Sequence, residues 1–342
     1  MLRRVFFSLI IFLPAFGLRL AAQEKSNVHP DVIRVEPVLN DSVMRLMVQT
    51  SQIYNEGLDT LPQMVFWRRI MKLTPDSGLV SLASTRYVFC CIATKSWDKL
   101  GKEGQDHFRD SLRKVNFIGD SISVLFTTGK NDFYDPVAVI PQIDRAIPIF
   151  VRDSVDPFYA QAILLIESPG KVLRSNAGAM GSFQIMKGVA INMGLKVNKY
   201  VDERKDFDKS AWAASKLIRT ICIPCTKAML DKRGICYNEN DLWFRLLVLH
   251  VYHAGAGNVE KAMTVIDPHE GGMDLIKNLW HTTAGQFGRS SQAYSQLAIA
   301  AMLELDEVRG WNGTGRCNVI PASAETGMLP PGNEPVREKD RH

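Results

Sequence analysis

The residue best placed to do chemistry is Glu167, which ends the run Asp156-Pro-Phe-Tyr-Ala-Gln-Ala-Ile-Leu-Leu-Ile-Glu167-Ser168. Ala160, Ile163, Leu164 and Glu167 recur at three- and four-residue steps, so the run predicts a helix whose last apolar turn delivers a carboxyl group. Asp156 suits the N-cap and Pro157 the first helical position, while Pro169 stops the helix. A glutamate at that place is unfavourable for stability. The helix C-terminus carries partial negative charge and apolar neighbours desolvate the group, and both effects favour the protonated form. Those conditions make a general acid that works near neutral pH. The competing reading is an exposed glutamate at a helix end.

Other segments carry candidate chemistry. An irregular loop, 171–181, ends in Gly178-Ala-Met-Gly181 and is followed by Ser182-Phe-Gln184. Asp202-Glu-Arg-Lys-Asp206 is densely charged, and Val251-Tyr252-His-Ala-Gly-Ala-Gly-Asn258 lies much later. Singly, each has a structural reading: the glycines turn the chain and Tyr252 fills the core. The six cysteines are Cys90, Cys91, Cys222, Cys225, Cys236 and Cys317. Their even number favours disulfides in an oxidising compartment, with a metal held around Cys222-x-x-Cys225 as the weaker alternative.

The elements that must position these groups read as mainly helical. Helices are expected over 40–57, 62–73, 79–97 and 104–115, with 122–127 locally strand-like. Pro141 and Pro148 interrupt the approach to the Asp156 helix, and further helices are expected over 182–193, 210–221, 242–252 and 293–305. With 46% hydrophobic and 23% charged residues among 342, the chain has material for an ordinary buried core. Residues 1–22, with Arg3 and Arg4 before a short apolar run and Ala21-Ala22 at its end, resemble a secretory signal peptide without a lipobox cysteine. Its removal would lower the net charge from +5 to +2, too small an excess to argue for nucleic acid. Export to the periplasm or cell envelope follows.

In order and spacing, the Glu167-Ser168 pair, the Gly178–Gln184 segment, the charged stretch at 202–206 and the Tyr252 segment resemble the lytic transglycosylases of the lysozyme-like superfamily. The nearest pattern is that of the membrane-bound type D branch. Tyr294 and the following Ala298-Ile-Ala-Ala301 resemble the closing helix of the same domain. The resemblance covers about residues 145–305. It implies a mainly α, lysozyme-like catalytic domain over 131–308, preceded by a helical N-terminal region over 23–130 and followed by a flexible tail over 309–342.

It also implies that Glu167 is a single acid/base acting on the β-1,4 bond between N-acetylmuramic acid and N-acetylglucosamine, leaving a 1,6-anhydro product. Tyr252 would hydrogen-bond and orient Glu167, Ser168 and Gln184 would contact sugars, and Gly178 and Gly181 would let backbone approach the glycan. Tyr294 would line the groove. No cofactor or metal is implied. Peptidoglycan glycan strands are the expected partner, with an envelope protein complex as a second. His253 and Val251 depart from the pattern, which has Asn and Ala at these places, and the loop after Ser168 is one residue short and lacks an aromatic. The alternatives are a hydrolytic muramidase, for which Asp202, Glu203 and Asp206 are the nearby second carboxylates, and a non-catalytic peptidoglycan-binding scaffold.

Overall fold

A computed structural model describes residues 31–35, 44–167 and 174–310. Strands β1 (Val32–Val35) and β2 (Arg45–Val48) form an antiparallel pair with Val32 opposite Val48. Two helices follow, α1 (Ser51–Asn55) and α2 (Pro62–Lys72). Pro62 starts α2 where a missing N–H costs nothing, and Met64, Phe66, Trp67, Ile70 and Met71 are buried from it. Next come β3 (Ser77–Leu82), β4 (Val88–Ala93), α3 (Thr94–Lys99), α4 (Gly101–Val115) and β5 (Val124–Thr128). Strand β3 is central and pairs antiparallel with both β4 and β5.

The remaining chain is helical. It comprises α5 (Pro136–Arg152), α6 (Phe158–Glu167), α7 (Lys187–Met193), α8 (Phe207–Leu217), α9 (Ile223–Asp231), α10 (Leu242–Ala254), α11 (Ala256–Ile266), α12 (Met273–Leu279) and α13 (Arg289–Val308). A π turn over Ile218–Cys222 joins α8 to α9, just before Pro224, whose missing N–H breaks the regular ladder.

The chain is mainly helical as expected, with several local corrections in the expected elements. The segment 79–97 is a strand hairpin and a short helix rather than one helix, and 45–48 is a strand. The strand-like reading near 122–127 is realised as β5. Helix α5 runs unbroken through Pro141 and Pro148. Only 187–193 of the expected helix over 182–193 forms, because Gln184 adopts φ 46° in a tight turn.

One hydrophobic core joins β2, α1 and α2 to helices α5 to α13. It does not break near residue 130. Polar ties fasten the N-terminal residues to it, among them those of Gln161, Asp144 and Trp67. Gln161 of α6 accepts from the Val48 N–H at 2.9 Å and donates to the Val48 carbonyl at 3.1 Å. Asp144 accepts from the Leu46 N–H at 2.8 Å. The Trp67 indole donates to Gln296 of α13 at 2.9 Å. Residues 77–128 instead gather round a separate small cluster of Val80, Trp97 and Val124, although Leu79 reaches the main core.

Candidate active site

Every residue of α6 from Phe158 to Ile166 is buried, so the helix is fixed along its length and only Glu167 reaches partly into the open. Its start is held electrostatically. The Asp156 carboxylate accepts from the Phe158 N–H at 2.8 Å and pairs with the buried Arg245 of α10 at 2.7 Å. Arg245 also reaches Asp31, at 2.8 Å, and stacks over the Phe158 ring.

The Tyr294 hydroxyl donates to Glu167 Oε1 at 2.8 Å. Burial pushes the Glu167 pKa up to about 7, while the Tyr294 hydrogen bond opposes the rise by stabilising the carboxylate. Two more tyrosines surround the group. The hydroxyls of Tyr134 and Tyr252 are held far above their usual pKa, first by burial and then by a negative charge on Glu167. The expectation that Tyr252 hydrogen-bonds Glu167 is corrected: its hydroxyl donates to the Phe183 carbonyl at 2.6 Å, and Tyr294 makes the bond to the acid. Tyr252 is thereby fixed between α10 and the loop before α7.

His253 stacks on the Tyr294 ring at 4.2 Å between centroids with 22° between planes. Its outer face is exposed, yet crowding by protein pushes its pKa down to about 4, so it is neutral at physiological pH. It therefore buttresses Tyr294 without adding charge beside Glu167. The next residue along α13, Ser295, accepts from the Trp280 indole at 2.8 Å and meets buried His250 at 2.9 Å. The turn of α13 that carries Tyr294 is thus locked to α10 and α12.

The glycine loop is built around Arg204. Its guanidinium is buried, pairs with Asp202 at 2.7 Å, and donates to the carbonyls of Gly178 and Ile185, each at 3.0 Å. Gly181 has φ 84°, and a Cβ there would lie 1.9 Å from the Arg204 carbonyl oxygen. That glycine is required by backbone packing. Gly178, at φ 89°, has open space where a side chain would be. Gln184 donates to the Gly181 carbonyl at 2.8 Å and remains partly exposed. Ser168 lies outside the described residues, as do the expected signal peptide, Cys317 and the tail from 311.

The acids considered as second carboxylates have other partners. Asp202 binds Arg204, Glu203 pairs with Lys209 at 2.7 Å, and Asp206 caps α8 through the Lys209 N–H at 3.1 Å. No disulfide forms among the described cysteines, Cys90, Cys91, Cys222, Cys225 and Cys236, so the expected cross-links are not made among them. No group of three metal-ligating side chains converges among the described residues, and none of their helices is long and apolar enough to cross a membrane.

Glu167 opens into a cleft of about 360 Å³ lined by Trp67, Arg86, Lys130, His253, Arg289 and Tyr294, among others. Glu167 is the one acid among the described lining residues, and the adjoining residues 168–173 contain none. Ser290, Ala293 and Leu297 complete the α13 wall, while Trp67 and Arg86 come from the N-terminal third. No local pattern marked those two residues. Each was an ordinary aromatic or basic residue until the fold brought it to Glu167.

Residues 149–265 match the family model described as Transglycosylase SLT domain. The match supports a lysozyme-like helical domain and lytic transglycosylase-type degradation of peptidoglycan, an activity of the cell envelope. Glu167, Gly178, Gly181, Gln184 and Tyr252 fall within the matched span, whereas Tyr294 lies beyond it. No curated protein matches the chain.

Proposed function

We propose that the protein is a peptidoglycan lytic transglycosylase in which Glu167 is the single acid/base. The observation that carries this reading is a lone carboxyl group with its pKa near 7, held by one tyrosine hydroxyl in an open cleft. As the acid, Glu167 protonates the glycosidic oxygen between N-acetylmuramic acid and N-acetylglucosamine as the bond to the anomeric carbon breaks. As the base, it takes the proton of the muramyl C6 hydroxyl while that oxygen bonds to the same carbon. The proton given in the first step is recovered in the second, and the 1,6-anhydro ring forms without water. A pKa near 7 serves both halves, because neither protonation state is scarce at working pH.

Tyr294 orients the carboxyl group, and the Tyr252 hydroxyl fixes the Phe183 carbonyl beside the glycan-facing loop. Gln184 and Ser168 contact the sugars, and Gly178 leaves room for a glycan at the loop surface. Assignment to the type D branch belongs to the same proposal and rests on the motif order. So does the division of the chain into signal peptide, N-terminal region, catalytic domain and tail. An ordinary glycosidase needs a second carboxylate some 5 to 10 Å from the first, roughly, and the engagement of Asp202, Glu203 and Asp206 elsewhere favours the intramolecular route.

Digestion of purified peptidoglycan by residues 24–342, beside the Glu167→Gln protein, tests the reading by mass spectrometry. Anhydromuramyl ends are expected, falling by about 10³-fold or more with the variant. Reducing muramic ends would make the protein a hydrolase. Retained binding without any product would make it a scaffold.

A further inference from the structure

The acid/base step leaves unused a group of cations in the same cleft. Arg86, Lys130 and Arg289 line it with Glu167 as the one acid among the described lining residues, and none of the three is ion-paired among the described residues. They do not set the state of Glu167, whose pKa is governed by burial and the Tyr294 hydroxyl.

Arg86 is the most constrained of the three. It sits in the turn between β3 and β4 with φ 61°, a left-handed conformation that a non-glycine residue adopts at a cost. Its guanidinium carbon lies 5.0 Å from the ring centroids of both Phe66 and Trp67. Those rings hold the guanidinium but offer it no anion, so its N–H edges remain available for a planar acceptor. Arg289 stands near enough for its charge, after burial, to lower the Arg86 pKa. Arg289 also opens α13, where the helix carries partial positive charge that disfavours a cation. Two arginines gathered against their mutual repulsion, in a cleft wall, form a site that an anion would complete.

We propose that Arg86 and Arg289 form a carboxylate subsite in the Glu167 cleft, which takes an acidic group carried by the substituent of the muramyl sugar. The inference rests on the peptidoglycan reading above. The sugar rings of the glycan are uncharged, so carboxylates reach such a site from the peptide stem or, on sugars whose stem has been removed, from the lactyl ether whose carboxyl the stem's amide bond otherwise occupies. The hairpin of the N-terminal third thus reads the substituent while α6 and α13 act on the glycosidic bond.

The test uses binding, so that it does not depend on turnover. Full-length Glu167→Gln protein is titrated with soluble glycan strands bearing peptide stems, with the same strands after methyl esterification of their carboxylates, and with strands stripped of stems by an amidase. Native strands are expected to bind about tenfold tighter than esterified ones, the scale of one charge-assisted contact. Adding Arg86→Gln and Arg289→Gln should bring that ratio to near one, and Arg86→Lys should restore part of it. In native strands the acceptor is a stem carboxylate, since the lactyl carboxyl is held there as an amide. Stripped strands, whose lactyl carboxylate is free, show whether the subsite also takes that group, by binding like native strands, or only the stem, by binding like esterified ones. A ratio near one before the arginine substitutions, or a ratio that persists after them, overturns the subsite. Failure of the transglycosylase reading shows separately, in the products released by the unsubstituted protein.

Discussion

The helical body and the small sheet of residues 77–128 solve the same burial problem on very different scales. In the body, α6 hides nine consecutive residues, and α10 and α13 are buried over most of their lengths. In the sheet region, three residues form the buried cluster and α4 has no buried residue at all. The charges differ in the same way. Those of α4 pair on the surface, as Arg109 does with Asp106 at 2.7 Å, where such contacts contribute little. The body instead holds Glu167 and His253 with strongly shifted pKa values. A large core can tolerate an unfavourable acid that chemistry needs, whereas a thin one is suited to carrying a contact residue such as Arg86 at its tip.

The largest expected effect tests whether the body bears that unfavourable acid. The folded pKa of Glu167, about 7, lies above the value of 4.5 expected for an unfolded chain. The folded state therefore holds the proton more tightly. The protonated group's advantage is complete below 4.5 and is lost as pH rises through 7. Glu167→Gln removes this dependence while keeping an oxygen for Tyr294. Its stability relative to the parent should rise between those limits, by about 3 kcal/mol in all, as read from urea unfolding at a series of pH values. A flat difference would mean that the acid is not desolvated.

Matched truncations sharpen the comparison next. Val248 in α10 and Val80 in β3 are both fully buried. Val248→Ala should lower global stability by roughly 2 kcal/mol. Val80→Ala should leave the global transition nearly in place and speed hydrogen exchange mainly within 77–128, because that region opens at lower cost. Equal loss of the global transition would show that the two regions unfold as one.

A smaller effect separates the two tyrosines. Tyr294→Phe removes the hydroxyl that favours the Glu167 carboxylate, so the pKa should rise and the alkaline limb of the pH–rate profile should move above 7. We expect kcat to fall about tenfold, the scale of one hydrogen bond to a charged group. Tyr252→Phe frees the Phe183 carbonyl instead, and should act mainly on KM with the alkaline limb in place. A shift of that limb by Tyr252→Phe alone would reverse the assignment.

Much of the site could be read from the chain because its parts are local. The capped apolar run ending in Glu167, the glycine spacing of the loop and the tyrosine near the end of α10 each depend on residues within a few positions. The hairpin of β3 and β4 was hidden for an equally local reason. Val88–Ala93 is continuously apolar with no clear period, and the turn before it places Arg86, rather than glycine or asparagine, in the left-handed region. Strand β2 carries no local signal, since its end at Val48 is held by a hydrogen bond to Gln161, 113 residues away.

The sequence by itself determined that a carboxyl group ends a capped, apolar helix, because helical period, capping and chain termination act over a turn or two. The tertiary structure alone decided which tyrosine holds the acid, since Tyr294 and Glu167 are 127 residues apart and meet only when α13 packs on α6. It decided that Gly181 serves the Arg204 backbone, and that Arg86 from the thin sheet region stands beside Arg289 in the Glu167 cleft. Hydrogen bonds and charges act across a few ångströms of space, and only the packed core sets which distant residues come within that range.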